Sequence, residues 1–251
     1  LLMSWEAGDE KMFDFFYNGN GYIDIAKELW GKEVEEDSTE YRTTKSISLG
    51  VNYDLQSSNM AKKLYLELDI RFAKRWDDHV RITDGYRRKY LDMFPGIKHY
   101  IRDRETELLE KGGVYIATGA KRHLPCLQGR ETEGFWHLRK EAINAPIQGL
   151  AAAVTGSAMI DCEAALLKEY DLSYVDYQTA LLNSPKENLC MPLLINEVHD
   201  ALVYDVPGDQ IEKAKEIIVE TMGNVPTLRR LVPDLKFKFK VKTTISSQWG
   251  K

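Results

Sequence analysis

Apolar residues recur at helical spacing through most of the first half of the chain, and strand-like alternation dominates only near its end. Residues 10–16 and 23–30 read as short helices separated by a flexible turn at Asn18, Gly19, Asn20 and Gly21. Ser38 stands where a cap belongs and opens a longer helix carrying Lys45, Leu49 and Tyr53. Residues 62–80 are expected to be helical in part. Tyr86–Phe94 is expected to form a helix that stops before Pro95-Gly96, and Ile97–Lys111 another, closed by Gly112-Gly113. Residues 114–118 and 122–124 should pair around Gly119-Ala120. The pattern then predicts a long helix over Leu138–Tyr170 with a small-residue face (Ala151, Ala152, Ala153, Gly156, Ala158) and a polar loop over 173–188.

Two β-rich runs, Leu193–Val198 and Ala201–Val206, face each other across His199 and Asp200 and predict a tight hairpin. Gly208–Gly223 is amphipathic, with Ile211, Ala214, Ile217, Ile218 and Met222 on one face. Leu235–Lys242 alternates apolar residues with lysines, which predicts a half-buried strand with a basic outer face. The expected fold class is α+β.

Composition changes this picture little. The 251 residues are 43% hydrophobic and 29% charged, ordinary for a globular chain. No apolar run approaches the ~20 residues that span a bilayer, and no basic-then-apolar leader opens the sequence. No membrane partner and a cytoplasmic location are therefore expected. Cys126, Cys162 and Cys190 are odd in number, lack metal-ligand spacing and read as reduced thiols. A net charge of −5 argues against nucleic-acid binding by composition alone. Phosphate contacts need only local basic patches, however. Four are present: Lys74-Arg75, Arg87-Arg88-Lys89, Lys121-Arg122-His123 and Arg139-Lys140.

Three groups of residues can carry chemistry. Lys45, Leu49 and Tyr53 are four apart, each step turning about 40° around a helix, so they form one stripe. Charge, apolar wall and ring on one stripe suit a nucleotide; an amphipathic helix with a surface lysine has the same pattern. Asn144 and Gln148 bracket Pro146. Such amides can donate to the minor-groove acceptors that every base pair presents. The same residues also fit a capped helix start with proline in its first turn. Asp200 at a hairpin tip can reach a metal, or it can be an ordinary turn aspartate.

The stretch Asn196-Glu197-Val198-His199-Asp200-Ala201-Leu202-Val203 resembles the third conserved motif of the family A DNA polymerases. Two further segments are similar to that family in the same order. Residues 139–149, ending Ile143-Asn144-Ala145-Pro146-Ile147-Gln148-Gly149, resemble its Ile-Asn-x-Pro-x-Gln-Gly segment. Lys45 to Tyr53 resembles its fingers helix, Lys-x-x-x-Phe/Tyr-Gly-x-x-Tyr. Gly119-Ala120-Lys121-Arg122-His123-Leu124-Pro125 adds a weaker match, and the likeness runs from Leu1 to Trp249. It implies helical fingers over 1–118 and an antiparallel-sheet palm over 119–251, without a thumb. It implies primer-template DNA and dNTP as partners and two Mg²⁺ ions as cofactor. Lys45 would contact the triphosphate, with Leu49, Tyr53 and Arg42 completing the nucleotide site. Lys121, Arg122, Lys140, Asn144, Gln148 and His199 would face DNA, and Asp200 would bind metal and take part in catalysis.

Departures from the family pattern are specific. Tyr41 stands where the family has arginine, and adjacent Arg42 points roughly 100° away from it. Leu49 replaces an aromatic residue, Asp54 a glycine, Lys140 an arginine and Ala201 an acid. Leu2–Glu10 resembles the segment just past the family's first motif, so the first catalytic aspartate is expected to be missing. One carboxylate cannot hold two Mg²⁺ ions near a triphosphate, and the chain alone is expected to be inactive. Two other readings are a non-catalytic DNA-binding module and one half of a split polymerase completed by a separate N-terminal fragment.

Overall fold

The computed structural model describes residues 1–124, 134–175 and 191–247. Pro125, Cys126, Cys190, Trp249 and residues 176–188 of the expected loop lie outside them. The chain divides into two compact units, residues 1–116 with 120–148, and residues 117–119 with 149 onward.

Helices α1 (Leu2–Glu6), α2 (Glu10–Tyr17), α3 (Tyr22–Trp30), α4 (Thr39–Asn52), α5 (Ser57–Glu67), α6 (Trp76–Met93) and α7 (Pro95–Lys111) build the first unit. They enclose a core that includes Met12, Ile25, Ile47, Met60, Leu64, Tyr90 and Phe94. Ser38 caps α4 as expected, its Oγ accepting from Tyr41 N at 3.2 Å. Asp9 caps α2 through Met12 N at 3.0 Å and also accepts from Gly96 N at 2.9 Å. That second bond docks the start of α7. A Cβ on Gly96 would meet Ala7 O at 2.7 Å, so only glycine fits there.

Helix α6 begins at Trp76, ten residues before the helix expected from Tyr86. The hydrophobic pattern hid its first half because polar residues occupy the inner face. His79 is fully buried, its Nδ1 accepting from Phe72 N at 3.2 Å and its Nε2 lying 3.0 Å from Ala61 O. Thr83 donates to His79 O at 2.8 Å. These bonds offset the cost of burying polar groups.

Strands β1 (Gly113–Tyr115) and β2 (Lys121–His123) pair antiparallel, with Val114 opposite Arg122. Helix α8 runs unbroken from Phe135 to Glu169 and contributes to both units. Pro146 lies well inside it, so the reading of a helix start with proline in the first turn is corrected. An interior proline lacks an N–H and disrupts bonds to carbonyls one turn back. Tyr100 Oη donates to Ile143 O at 2.7 Å, supplying a partner from another helix in that turn. Burial pushes the Tyr100 phenol above its ordinary range, so it remains a donor.

An 18-residue window of α8 has a mean hydropathy of 1.5, and the helix is long and apolar enough to cross a membrane by length and composition. That corrects the expectation that no segment approaches this limit. Its buried face, including Ala158, Cys162 and Leu166, belongs to a protein core.

The second unit holds the hairpin of β3 (Leu193–Val198) and β4 (Ala201–Asp205), a 3₁₀ turn at Gly208–Gln210, α9 (Ile211–Asn224) and α10 (Pro226–Leu231). Ile195 is bulged, leaving Leu194 opposite Tyr204 and Asn196 opposite Val203. Ile217 and Ile218 of α9 pack on Leu166, Leu167 and Met191. Residues 235–242 alternate in burial as predicted but form no strand, which corrects that assignment. Their polar backbone is claimed by helix ends instead of a ladder. Arg229 donates to Leu235 O and Phe237 O at 3.1 and 2.6 Å, and Phe239 N donates to Gly223 O at 2.9 Å. Among the described residues the architecture is mostly helical with two small antiparallel sheets, as the α+β reading expects.

Candidate nucleic-acid interface

Helix α4 is buried on nearly every side. Thr43, Thr44, Ser46, Ile47, Ser48, Gly50, Val51 and Asn52 are all enclosed. What remains exposed is a narrow stripe: Arg42, Lys45 and Leu49, the last 38% exposed, followed by half-buried Tyr53 as the C-cap. Small side chains allow this close packing. A Cβ on Gly50 would meet Met60 Cε at 2.9 Å. Tyr41 is half-buried, its ring edge-on to that of Tyr22 with centroids 6.4 Å apart. Burial, with smaller effects of Tyr41 and Tyr53, pushes the Tyr22 phenol up. Arg42, one turn before Lys45, shares the open face with it.

Helix α8 presents a second stripe in the same unit. Lys140 and Asn144 are half-buried and Gln148 is exposed. Asn144 Oδ1 is shielded from solvent and has no hydrogen-bond partner. Lys121 on β2 donates to Lys111 O at 2.9 Å and lies 5.7 Å from the Tyr115 ring centroid. Arg122 reaches Glu141 on α8 at 3.4 Å. The β-hairpin cations and the α8 stripe are thereby held side by side.

The sequence marks Asp54 as a departure and places Arg139 in a basic patch, but does not show that the two join the stripes. Asp54, directly after Tyr53, has a φ of 52° and is 5% exposed. Its carboxylate forms an ion pair with Arg139 of α8 and lies 3.7 Å from Arg87 of α6. Gln56 Nε2 donates to Asp54 Oδ1 at 3.1 Å. Arg139 also donates to Glu105 of α7 at 2.7 Å and lies 5.5 Å from the Trp136 ring. Burial draws the Arg139 pKa down from its ordinary value. The available signal was the aspartate at a position where the resembled family has glycine.

His199 and Asp200 form the two-residue turn of the β3–β4 hairpin, both exposed. His199 has a φ of 59°, uncommon outside glycine. Asp200 presents one carboxylate. Among the described residues no three His, Cys, Asp or Glu side chains converge to hold a metal.

The profile of DNA polymerase family A matches residues 2–251. The chain belongs to that family. Relatives include DNA polymerase I of Rhizobium leguminosarum, 31% identical over 212 residues, covering 83% of this chain and 18% of that enzyme. DNA polymerase I of Lactococcus lactis subsp. lactis (strain IL1403) is 28% identical over 219 residues, covering 86% of this chain and 21% of the relative. The chain thus spans about a fifth of the length of these enzymes. Among solved structures, the polymerase domain of Pol1 from M. smegmatis, in complex with DNA primer-template and dNTP, has the same fold. It superposes with a TM-score of 0.69 at 22% identity, covering 89% of this chain and 34% of that one.

Proposed function

We propose that the chain supplies the fingers (1–118) and part of the palm (119–251) of a template-directed DNA polymerase. That enzyme adds dNMP to a primer 3′-OH in the cytoplasm. The observation that carries this reading is the α4 stripe, a nearly buried helix whose open face is cationic, then apolar, then aromatic. In the proposal Lys45 and Arg42 neutralise the triphosphate, Leu49 forms a wall for the incoming nucleotide, and Tyr53 lies at the templating base. Asn144 and Gln148 donate to minor-groove acceptors near the primer terminus, which tests pair shape without reading sequence. Lys121, Arg122 and Lys140 hold backbone phosphates, and His199 lies against the primer strand.

Family A polymerases generally use divalent metal ions. Asp200 would contribute one ligand, and a Mg²⁺ ion there would supply Lewis-acid charge to the phosphoryl group. Two ions require a further carboxylate that the described residues do not bring to Asp200. The 251-residue chain alone is therefore expected to give no primer extension above background. Extension by this chain that is abolished by Asp200→Ala would overturn that expectation.

The decisive experiment for the polymerase reading is retention of a primer-template by the chain with and without the next correct dNTP. Retention raised by the correct dNTP, and not by the three others, supports polymerase fingers. Salt-sensitive retention indifferent to dNTP would favour the non-catalytic DNA-binding module, a reading that the lone carboxylate of Asp200 also favours.

A further inference from the structure

The geometry points to Asp54 and Arg139 as a positioning pair that locks the nucleotide stripe of α4 to the DNA-facing stripe of α8. The inference rests on the polymerase reading and adds residues to it. Asp54 follows Tyr53 directly, and Arg139 precedes Lys140 directly, so the ion pair ties the last turn of one stripe to the first turn of the other. The surroundings suit a lock. Both side chains are nearly enclosed, at 6% and 11% exposure. Arg87 faces the same carboxylate from α6 at 3.7 Å and also donates to Leu55 O at 3.3 Å. Glu105 faces Arg139 from α7 at 2.7 Å. Three helices thus meet through Asp54, and Arg139 ties in a fourth.

The backbone adds a second argument. At φ 52° glycine is the least strained residue, and aspartate is tolerated at some cost. A side chain held there against conformational preference does something that glycine cannot. Here it places a carboxylate between two guanidinium groups. Removing it leaves two half-buried guanidinium groups facing each other's site with only their outer partners, Glu105 for Arg139 and the Leu55 carbonyl for Arg87.

Three variants separate charge from conformation. Asp54→Gly relieves the backbone and removes the carboxylate, Asp54→Asn keeps a side chain suited to the left-handed region, and Arg139→Gln removes the partner. In each, amide hydrogen exchange of residues 50–55 in the chain is expected to accelerate about tenfold, and Asp54→Asn combined with Arg139→Gln should add little to either alone. In the complete polymerase carrying the same changes, the dNTP KM is expected to rise severalfold. The surface control Lys98→Ala should leave it unchanged.

Faster exchange together with a raised KM supports the pair as a positioning device. Unchanged exchange overturns it. So does an Asp54→Gly variant that behaves as wild type, because conformation alone would then explain the site. Faster exchange with an unchanged KM also overturns it, since the pair would be structural only. The exchange arm needs no substrate. A wild-type polymerase that incorporates no nucleotide would defeat the polymerase reading itself, and would be recognised as such.

Discussion

At the scale of single residues, exposure separates the side chains available to ligand from those spent on the fold. Lys45 stands on the open stripe of α4, away from the core. Lys45→Ala in the complete enzyme should mainly raise the dNTP KM, by about tenfold, since a hydrogen bond to a charged group contributes roughly 1.5–3 kcal/mol. Steady-state kinetics at varied dNTP checks this, and an unchanged KM would remove Lys45 from the triphosphate. Leu49→Phe should act in the opposite direction, because ring stacking is worth about 0.5–1.5 kcal/mol. Cys162 provides an independent check of burial. Enclosure pushes its thiol up to about 11, so it should resist iodoacetamide at pH 8 in the folded chain and react on unfolding, as peptide mass mapping would show. The placement of Lys45 and Leu49 on one open face, and of Asn144 and Gln148 one turn apart, was legible in the sequence because it follows from helical spacing. The joining of Asp54 to Arg139 was not. Their pairing depends on a left-handed residue and on a partner 85 positions away, neither of which leaves a periodic trace.

Secondary-structure elements were legible where apolar periodicity and caps agreed. Ser38 and Gly112 mark helix ends as expected. The signal failed where polar groups are satisfied inside the fold, as along the first half of α6, and where an extended segment bonds to helix ends, as over 235–242. The turn of α8 around Pro146 gives a direct test of such satisfaction. Tyr100→Phe deletes the donor to the enclosed Ile143 carbonyl. It should cost about 0.5–1.5 kcal/mol in denaturant unfolding, the usual net contribution of one hydrogen bond.

The contact of α1 with α7 gives a pH-dependent test. Burial raises the Glu6 pKa, Arg104 lowers it in part, and Glu107 raises it. The folded state therefore binds the Glu6 proton more tightly than the unfolded chain does. The site favours folding below the ordinary glutamate range, and that contribution is lost as pH rises through the folded value. Glu6→Gln should leave the melting temperature unchanged near pH 4 and raise it at pH 7.5. Equal shifts at both pH values would show that the carboxylate is not the cause.

For the molecule as a whole, a net charge of −5 coexists with a cationic strip on the first unit. Duplex binding by this chain should then be strongly salt-dependent despite its acidic total. Each phosphate neutralised contributes about 0.9 to the slope of log K against log salt. Contacts by Lys121, Arg122 and Lys140 therefore predict a slope of roughly −3. Lys140→Ala should reduce its magnitude by about 1. Asn144→Ala should weaken binding similarly at every salt concentration, because an amide in the minor groove releases no counterion. Glu141 refines the test. It lies 3.4 Å from Arg122 and 3.0 Å from His137, so it competes with phosphate for both. Glu141→Gln should tighten duplex binding at low salt, as Arg122 no longer divides its charge between Glu141 and the backbone. Fluorescence anisotropy with a labelled primer-template across a salt series measures all four proteins. If Glu141→Gln leaves affinity at its wild-type value, Arg122 faces away from DNA, and the phosphate strip reduces to Lys121 and Lys140.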